Sequence, residues 1–146
     1  MDATDAAILH ELKQNARASA AEIGKRVALS APAVAERIRK LERAGVIAQY
    51  TVRLDRAKCG SPLLAFLLVR IEGTRHALAF RGAAAALPGV LECHHVTGTY
   101  DYLLKVTAAD TLGLEHFITR ELKTIPGVAA TNTMLALATL KEEFNA

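Results

Sequence analysis

The stretch SAAEIGKRVALSAPAVAERIRKLERAG, residues 19–45, contains two helical patterns separated by a very short turn. Ser19 and Glu22 have the S-x-x-E spacing of a capping box, which predicts the start of a short helix. Ser30 is a favoured N-cap for the next helix, and Gly45 is a favoured stop after it. The apolar residues of this second helix repeat at i, i+4 and i+7, at Val34, Ile38 and Leu41. Two short helices joined by so tight a turn must cross steeply, which predicts a helix-turn-helix.

The residues on either side extend this pattern to a winged helix-turn-helix. Upstream, one apolar stripe predicts a first helix. Its members are Ile8, Leu9, Leu12 and Ala16. Downstream, VIAQYTVRLD, residues 46–55, places Tyr50, Val52 and Leu54 on one face at a period of two. This alternation predicts a strand that forms the wing.

Positive charge is concentrated in the same part of the chain. Residues 25–56 contain eight Lys and Arg against three Asp and Glu, a net charge of +5, whereas residues 57–146 contain eight of each and balance to zero. The whole chain of 146 residues carries only +3. A basic block on one segment indicates a polyanion as partner, which for a helix-turn-helix is double-stranded DNA. A charged helix face that only contacts water is the alternative interpretation of the charges alone.

We expect the second helix of the pair to enter the major groove of DNA with its N-terminus first. The predicted DNA-binding residues are Ser30, Ala31, Pro32, Ala33, Glu36, Arg37, Arg39, Lys40 and Arg43. Near the leading end only Ser30 and Glu36 can hydrogen-bond base edges, so we expect little direct readout. Phosphate contacts and DNA shape then carry much of the selectivity, with degenerate, A/T-tolerant sites. For Arg37, at the boundary of this face, the alternative is a tie to the rest of the domain through Glu22.

The second half of the chain repeats one pattern. LPGV at residues 87–90 recurs 38 residues later as IPGV at residues 125–128. Each copy has a strand, a helical stretch, the Pro-Gly break and a second strand. The first copy begins with LLAFLLVRI and the second with DYLLKV. Two such units in series predict βαββαβ, a ferredoxin-like fold, and an α+β class for the whole chain.

The predicted sheet has apolar residues on both faces. No polar residue occurs from Leu63 to Val69, and the last strand is predicted to run on past residue 135. It would place Leu135 and Leu137 on one face and Met134, Ala136 and Leu140 on the other. Two helices cover only one face of four strands, and an apolar second face is unfavourable in water. We therefore expect a second copy to cover it, in a two-fold homodimer.

The expected domain boundaries follow from these patterns. A winged helix-turn-helix DNA-binding domain occupies residues 1–52, with the helix-turn-helix itself at about 20–44. Residues 53–62 are polar, contain Gly60 and Pro62, and form a hinge or linker. Residues 63–146 form the ferredoxin-like domain, through which two copies are expected to associate.

The chain resembles the Lrp/AsnC family of transcription regulators, also called feast/famine proteins. The resemblance covers nearly the whole length. It rests on DAAILHELKQNARASAAEIGKRVALSAPAVAERIRKLERAGVIAQY in the first part, and on GTYDYLLKV and the paired Pro-Gly-Val breaks in the second. It implies a DNA-binding domain followed by an amino-acid-sensing domain. It also implies homodimers that assemble further, commonly into octamers.

The resemblance implies an amino-acid effector at one loop. The predicted ligand-binding residues are Gly98, Thr99, Tyr100, Asp101, Tyr102, Thr131 and Thr133. Backbone N–H groups and Thr99 suit a carboxylate, Asp101 suits an α-ammonium group, and the two tyrosines suit a side chain. The alternative is a plain hairpin turn in which Asp101 only caps backbone groups.

Other classes of protein and site are less compatible with the sequence. Neither an apolar run of about 18 residues nor a basic secretory leader occurs, which favours a cytoplasmic, nucleoid-associated protein without membrane contact. Cys59 and Cys93 are too few for a disulfide framework. Adjacent His94 and His95 point to opposite faces of a strand, and no nearby Cys or His completes a set of ligands, so we expect no metal site. We also expect no cofactor. The chain lacks a nucleophile–base pair typical of an enzyme. A DNA-organising protein without an effector remains the alternative function.

Overall fold

The computed structural model describes residues 1–143 and contains two compact units, Met1–Arg53 and Leu54–Glu142. The predicted end of the second domain, residue 146, lies outside the described residues. The first unit contains three helices: α1 (Ala3–Gln14), α2 (Ala20–Val27) and α3 (Ala31–Arg43). The helix-turn-helix predicted from sequence is confirmed as α2, a three-residue turn and α3.

Side-chain caps define where the helices of the first unit begin. At α2 the Glu22 N–H donates to Ser19 Oγ (3.2 Å), and the Ser19 N–H donates to Glu22 Oε2 (2.7 Å). This is the capping box predicted from the sequence. A second capping box, between Asp2 and Asp5, starts α1 and was missed by the sequence reasoning. Because each box satisfies two otherwise unpaired N–H groups, it specifies the helix start locally.

The core of the first unit brings one residue from each helix together. Ile8, Ile23 and Val34 are fully buried against one another. At the turn, α2 and the chain leading into α3 approach so closely that only glycine fits at position 24. A Cβ on Gly24 would lie 2.5 Å from the carbonyl oxygen of Leu29.

The predicted wing is not formed. Residues 46–62, all described, contain no strand, and the side chains of Tyr50, Val52 and Leu54 are exposed. A strand is stabilised by pairing its backbone groups with a neighbour, and within the described chain every pairing belongs to the sheet of the second unit. The alternating pattern is present, but a partner strand is not.

The second unit has the predicted βαββαβ order. Its elements are β1 (Leu63–Ile71), α4 (Ala77–Ala86), β2 (Val90–His95), β3 (Tyr102–Ala108), α5 (Thr111–His116) and β4 (Val128–Leu135). Helix α5 continues directly as a π-helical turn, Phe117–Leu122. The strands form one antiparallel sheet in the order β2-β3-β1-β4. The ferredoxin-like fold predicted from the repeated Pro-Gly-Val pattern is confirmed.

One face of the sheet carries the core of this unit. Alternate residues of β1, Ala65, Leu67 and Val69, are fully buried with Leu104 of β3 and Phe80 of α4. The other helix contributes Leu114, and the π-helical turn contributes Phe117 and Leu122. This is the helix-covered face.

The opposite face, which we call the open face, differs from the sequence-based expectation. Leu64, Phe66 and Leu68 of β1 lie there, as predicted, because they alternate with the core residues. However, β4 ends at Leu135, so Ala136, Leu137 and Leu140 do not lie on the strand as expected. The chain turns away because its pairing with β1 stops where the Ala136 N–H donates to the Leu64 carbonyl (2.9 Å). Beyond that bond, residues 136–142 lie beside Leu64 and Phe66.

Candidate functional site

Helix α3 presents its charged residues on the side away from its buried stripe. Arg39, Lys40 and Arg43 are exposed, whereas Val34 and Leu41 are buried. The predicted contact face is therefore accessible at its cationic positions. At the leading end Ser30 caps the helix, and the Ala33 N–H donates to its Oγ (3.4 Å). The other three leading residues are Ala31, Pro32 and Ala33, which offer no side-chain hydrogen bonds.

Glu36 lies between two of the predicted phosphate-binding arginines. Arg39 donates to Glu36 Oε2 from Nη2 (2.7 Å) and from Nε (3.2 Å), and Arg43 Nη2 donates to Oε1 (3.2 Å). These hydrogen bonds, first from Arg39 and then from Arg43, hold the pKa of the Glu36 carboxyl below its usual range. Both carboxylate oxygens are therefore already accepting hydrogen bonds, which reduces their availability for base edges.

Arg37 ties α3 to α1. Its Nη1 donates to Asp5 Oδ1 (2.6 Å) and to Asp2 Oδ2 (2.8 Å). The hydrogen bonds to Asp2 and Asp5 raise the pKa of Arg37 above its usual value. The prediction that Arg37 pairs with Glu22 is wrong, because the Glu22 carboxylate accepts from Ser19 in the capping box. Its role in holding the domain together was anticipated, but the partners were not.

The loop between β2 and β3 has the backbone geometry of a tight reversal. The Val96 N–H donates to the Asp101 carbonyl (2.9 Å), and the Asp101 N–H donates to the Val69 carbonyl (2.9 Å). Gly98 has a φ of +117°, a conformation that side chains rarely adopt, and nothing lies within 4 Å of a Cβ built on it. Gly98 and Thr99 are exposed and Tyr100 is half-buried, so this loop is open to a ligand.

The Asp101 carboxylate has a structural role in this loop. Its Oδ2 accepts a hydrogen bond from the Ile71 N–H (2.7 Å). The register between β1 and β4 shifts between Arg70 and Ile71, so the ladder is interrupted at this N–H group. Asp101 thus caps backbone at the end of β1, which is the alternative role considered from the sequence.

Tyr102 lies in the core rather than at the loop surface, which corrects the expectation that its ring packs against an effector. It is 2% exposed, and its ring centroid lies 4.7 Å from Phe80 and 5.1 Å from His95. The Tyr102 hydroxyl accepts a hydrogen bond from Arg81 Nε (2.8 Å). The hydrophobic effect selects this position because Tyr102 is the first core-facing residue of β3.

Thr131 and Thr133 lie on the far edge strand. Thr131 pairs with Val69, which in turn pairs with Tyr102, so Thr131 is two strands away from the end of the loop. Thr133 pairs with Leu67, one position further along the helix-covered face. The structure therefore brings Gly98, Thr99 and Asp101 together and leaves the two threonines separate from them within one chain.

The paired histidines face opposite sides of the sheet. His95 contacts the Tyr102 ring on the helix-covered face, whereas His94 Nε2 lies 3.0 Å from Glu92 Oε2 on the open face. Among residues 1–143 there is no group of three His, Cys, Asp or Glu side chains suited to a metal ion. Within the same range no helix is both long and apolar enough to cross a membrane.

The fold and these sites define a class of protein: a helix-turn-helix unit with an accessible cationic helix, joined to a ferredoxin-like unit with an open, glycine-containing loop. Comparison with known proteins is consistent with that description. The AsnC-type helix-turn-helix domain matches residues 1–42, and the Lrp/AsnC ligand-binding domain matches residues 64–146. The chain belongs to the Lrp/AsnC family of transcription regulators. Its relatives and domains are those of a non-enzymatic family.

Individual relatives cover almost the whole chain. It is 37% identical over 98% of its length to the proline dehydrogenase transcriptional activator of Rhodobacter capsulatus, covering 94% of that protein. It is 35% identical over 97% of its length to the leucine-responsive regulatory protein of Rhizobium meliloti, covering 92% of it. A solved structure of a Neisseria meningitidis transcriptional regulator in complex with L-methionine superposes with a TM-score of 0.95 at 32% identity, covering 99% of this chain and 94% of that one.

Proposed function

We propose that this transcription regulator binds DNA sequence-specifically as a homodimer and that an amino-acid effector changes its DNA binding or its assembly. The observation that carries the proposal is the combination of an accessible helix-turn-helix with a ligand-binding domain. The Neisseria regulator that superposes so closely is a complex with L-methionine, which supports an amino acid as the class of effector.

For the DNA contact we propose the exposed side of α3. Arg39, Lys40 and Arg43 contact phosphates, and the small residues of the leading turn lie close to the floor of the groove. Ser30, Ala31, Pro32 and Ala33 form this leading turn. We assign Arg37 to the domain itself because its guanidinium pairs with Asp2, the N-cap of α1, and with Asp5 in the first turn of that helix.

For the effector we propose the loop of Gly98, Thr99, Tyr100 and Asp101. Its exposed backbone N–H groups and the Thr99 hydroxyl suit a carboxylate, and Tyr100 is accessible enough to contact a side chain. Asp101 Oδ2 is occupied by the Ile71 N–H, so Oδ1 is the atom we assign to an α-ammonium group. Thr131 and Thr133 enter the same site only if a second copy brings its β4 beside the loop.

The open face of the sheet supports the homodimer. Phe66 and Leu68 of β1 and Met134 of β4 form an apolar surface that neither helix covers. A two-fold partner covers such a face with the same surface and presents two α3 helices to one DNA duplex. Assembly of four dimers into an octamer is the further expectation, and light scattering tests it directly by a mass of twice or eight times that of the chain.

The direct test is calorimetry of the free protein with each of the twenty amino acids, paired with fluorescence-anisotropy titration of duplex DNA. We expect at least one amino acid to bind and to shift either the DNA dissociation constant or the mass of the assembly. Asp101→Asn separates the structural role of this side chain from its proposed role in binding the effector. It keeps an oxygen for the Ile71 N–H but removes the negative charge, so amino-acid binding should weaken about tenfold or more while the fold persists.

A DNA-organising protein without an effector is the second candidate function. The hydrogen bond from the Ile71 N–H to Asp101 favours it, because that bond alone explains an aspartate in this turn. The two candidates differ in one outcome. If all twenty amino acids fail to bind and Asp101→Asn has wild-type DNA affinity and assembly, the effector proposal is rejected and DNA organisation remains.

A further inference from the structure

Residues 136–142, which we call the C-terminal segment, lie over part of the open face. The segment starts where the Ala136 N–H donates to the Leu64 carbonyl on β1 (2.9 Å). It ends at Glu142, whose Oε1 lies 2.6 Å from Lys105 Nζ on β3. Lys105 pairs with Phe66 across the ladder and alternates with the core residues Leu104 and Val106, so its side chain belongs to the open face.

Ion pairs hold the end of the C-terminal segment in place. Lys105 Nζ also lies 3.0 Å from Glu92 Oε1, and Arg56 Nη1 lies 2.8 Å from Glu142 Oε2. Lys105 and Arg56 each therefore lie beside a carboxylate. Lys105 itself is 9% exposed. Because these charges pair with one another, the surface can be covered by another protein without burying an uncompensated charge.

The same segment leaves two leucines in water. Leu137 is 96% exposed and Leu140 is 97% exposed, although both belong to a segment that is tied down at each end. Beside Leu140 is a cavity of about 300 Å³, lined by Leu64, Phe66 and Lys105 of the sheet and by residues of the segment itself. Exposed leucines and a cavity partly lined by Leu64 and Phe66 lie on one surface, and such a pairing can be self-complementary across a two-fold interface.

The area of the sheet also indicates that the C-terminal segment takes part in the interface. Four strands about 4.8 Å apart and about 20 Å long offer roughly 400 Å² per copy, about half of what a standard interface buries on each partner. The sheet alone therefore offers less area than a standard interface buries. Two fully exposed leucines next to the sheet supply additional apolar area at the place where it is needed.

We infer that Leu137 and Leu140 of one copy pack against the open face and cavity of a second copy, and that the contact is reciprocal. The inference rests on the proposed homodimer and adds the element that makes it stable. The C-terminal segment thus has two roles: the Lys105–Glu142–Arg56 ion pairs position it, and its outward leucines bind the partner.

Sedimentation equilibrium of the full chain over a range of concentrations tests this inference. We expect Leu137→Gln/Leu140→Gln to raise the dimer dissociation constant about 100-fold or more, because each substitution is present twice in a reciprocal interface. The matched control is Leu78→Gln/Leu112→Gln. These leucines, on α4 and α5, are 76% and 74% exposed, so the control removes similar exposed apolar area elsewhere in the same unit and should leave the constant unchanged.

The outcomes separate this inference from the proposed function. A leucine variant that dimerises as tightly as the wild type, or a control that weakens equally, overturns the role of the segment while the dimer stands. A wild-type chain that stays monomeric overturns both the segment and the dimer. Amino-acid and DNA binding, measured separately, decide the rest of the proposal. Should the Gln variant lose its folded circular dichroism spectrum, Leu137→Ala/Leu140→Ala replaces it, with at least a tenfold rise expected.

Discussion

At the scale of single residues, the turn of the helix-turn-helix depends on the absence of one side chain. The carbonyl of Gly24 accepts a hydrogen bond from the Leu29 N–H (3.0 Å), and the Leu29 carbonyl lies where a Cβ on Gly24 would be. The atoms that a Cβ on residue 24 would meet belong to the backbone of Leu29, so the clash cannot be relieved by moving a flexible side chain. Helix α3 can approach α2 at this angle only because residue 24 is glycine.

Gly24→Ala is therefore expected to destabilise the first unit by about 1–3 kcal/mol, the range for overpacking a tight contact. Urea unfolding followed by circular dichroism measures the change. Gly82→Ala is the control, because nothing lies within 4 Å of its added Cβ in α4 and the backbone is already helical. That control should gain up to about 1 kcal/mol from helix propensity. Equal effects of the two substitutions would contradict the close-approach argument.

Glu36 reduces the positive charge that α3 presents to DNA. It holds Arg39 and Arg43 together and partly neutralises them. Glu36→Gln should therefore raise the affinity for every duplex about two- to fivefold per module, the range expected for an exposed ion pair. Fluorescence anisotropy at constant salt measures it, with Glu72→Gln as a control for net charge. A loss of affinity confined to the best duplex would show instead that Glu36 contacts a base edge.

At the scale of elements, the ion pairs of the C-terminal segment connect three parts of the second unit. Glu142 is the shared acceptor of Lys105 on β3 and Arg56 in the preceding loop. Hydrogen bonds from Lys105 and then Arg56 lower the pKa of the Glu142 carboxyl from 4.5 to about 2. The folded state thus favours the ionised carboxylate more strongly than the unfolded state does.

The sign of the pH dependence follows from that depressed pKa. The stabilisation is fully present above about pH 4.5, the pKa of the free side chain, and is lost as the pH falls to about 2. Glu142→Gln should lower the urea midpoint at pH 7 and flatten its dependence on pH between 4.5 and 2. Glu115→Gln, which removes an exposed carboxylate of α5, should change neither. If the urea midpoint of Glu142→Gln falls between pH 4.5 and 2 as steeply as that of the wild type, Glu142 does not have this role.

At the scale of the whole molecule, two linked α3 helices predict a strong dependence of DNA binding on salt. About three phosphate contacts per helix-turn-helix, from Arg39, Lys40 and Arg43, and two copies in the dimer give a slope of log K against log salt near −5. A variant that stays monomeric, such as Leu137→Gln/Leu140→Gln, should give roughly half that slope. Anisotropy titrations between about 50 and 300 mM salt measure both. A wild-type slope shallower than about −2 is incompatible with two reading modules.

The sequence by itself determined the features that depend on neighbours along the chain. The capping box of Ser19 and Glu22, the Ser30 cap and the paired Pro-Gly-Val breaks specify helix starts and the order of strands. Caps, turns and hydrophobic periods act over a few residues, so they can be read from the linear chain. That is why the helix-turn-helix and the βαββαβ order were predictable.

Only the tertiary structure decided the features that depend on distant partners. It joined Arg37 to Asp2 and Asp5, about 32 to 35 residues away, and brought Lys105 to Glu142, 37 residues away. It also left residues 46–55 without a partner strand and turned the ring of Tyr102 into the core. Long-range pairing depends on which groups the folded chain brings within a few ångströms of each other, and no local pattern encodes that choice.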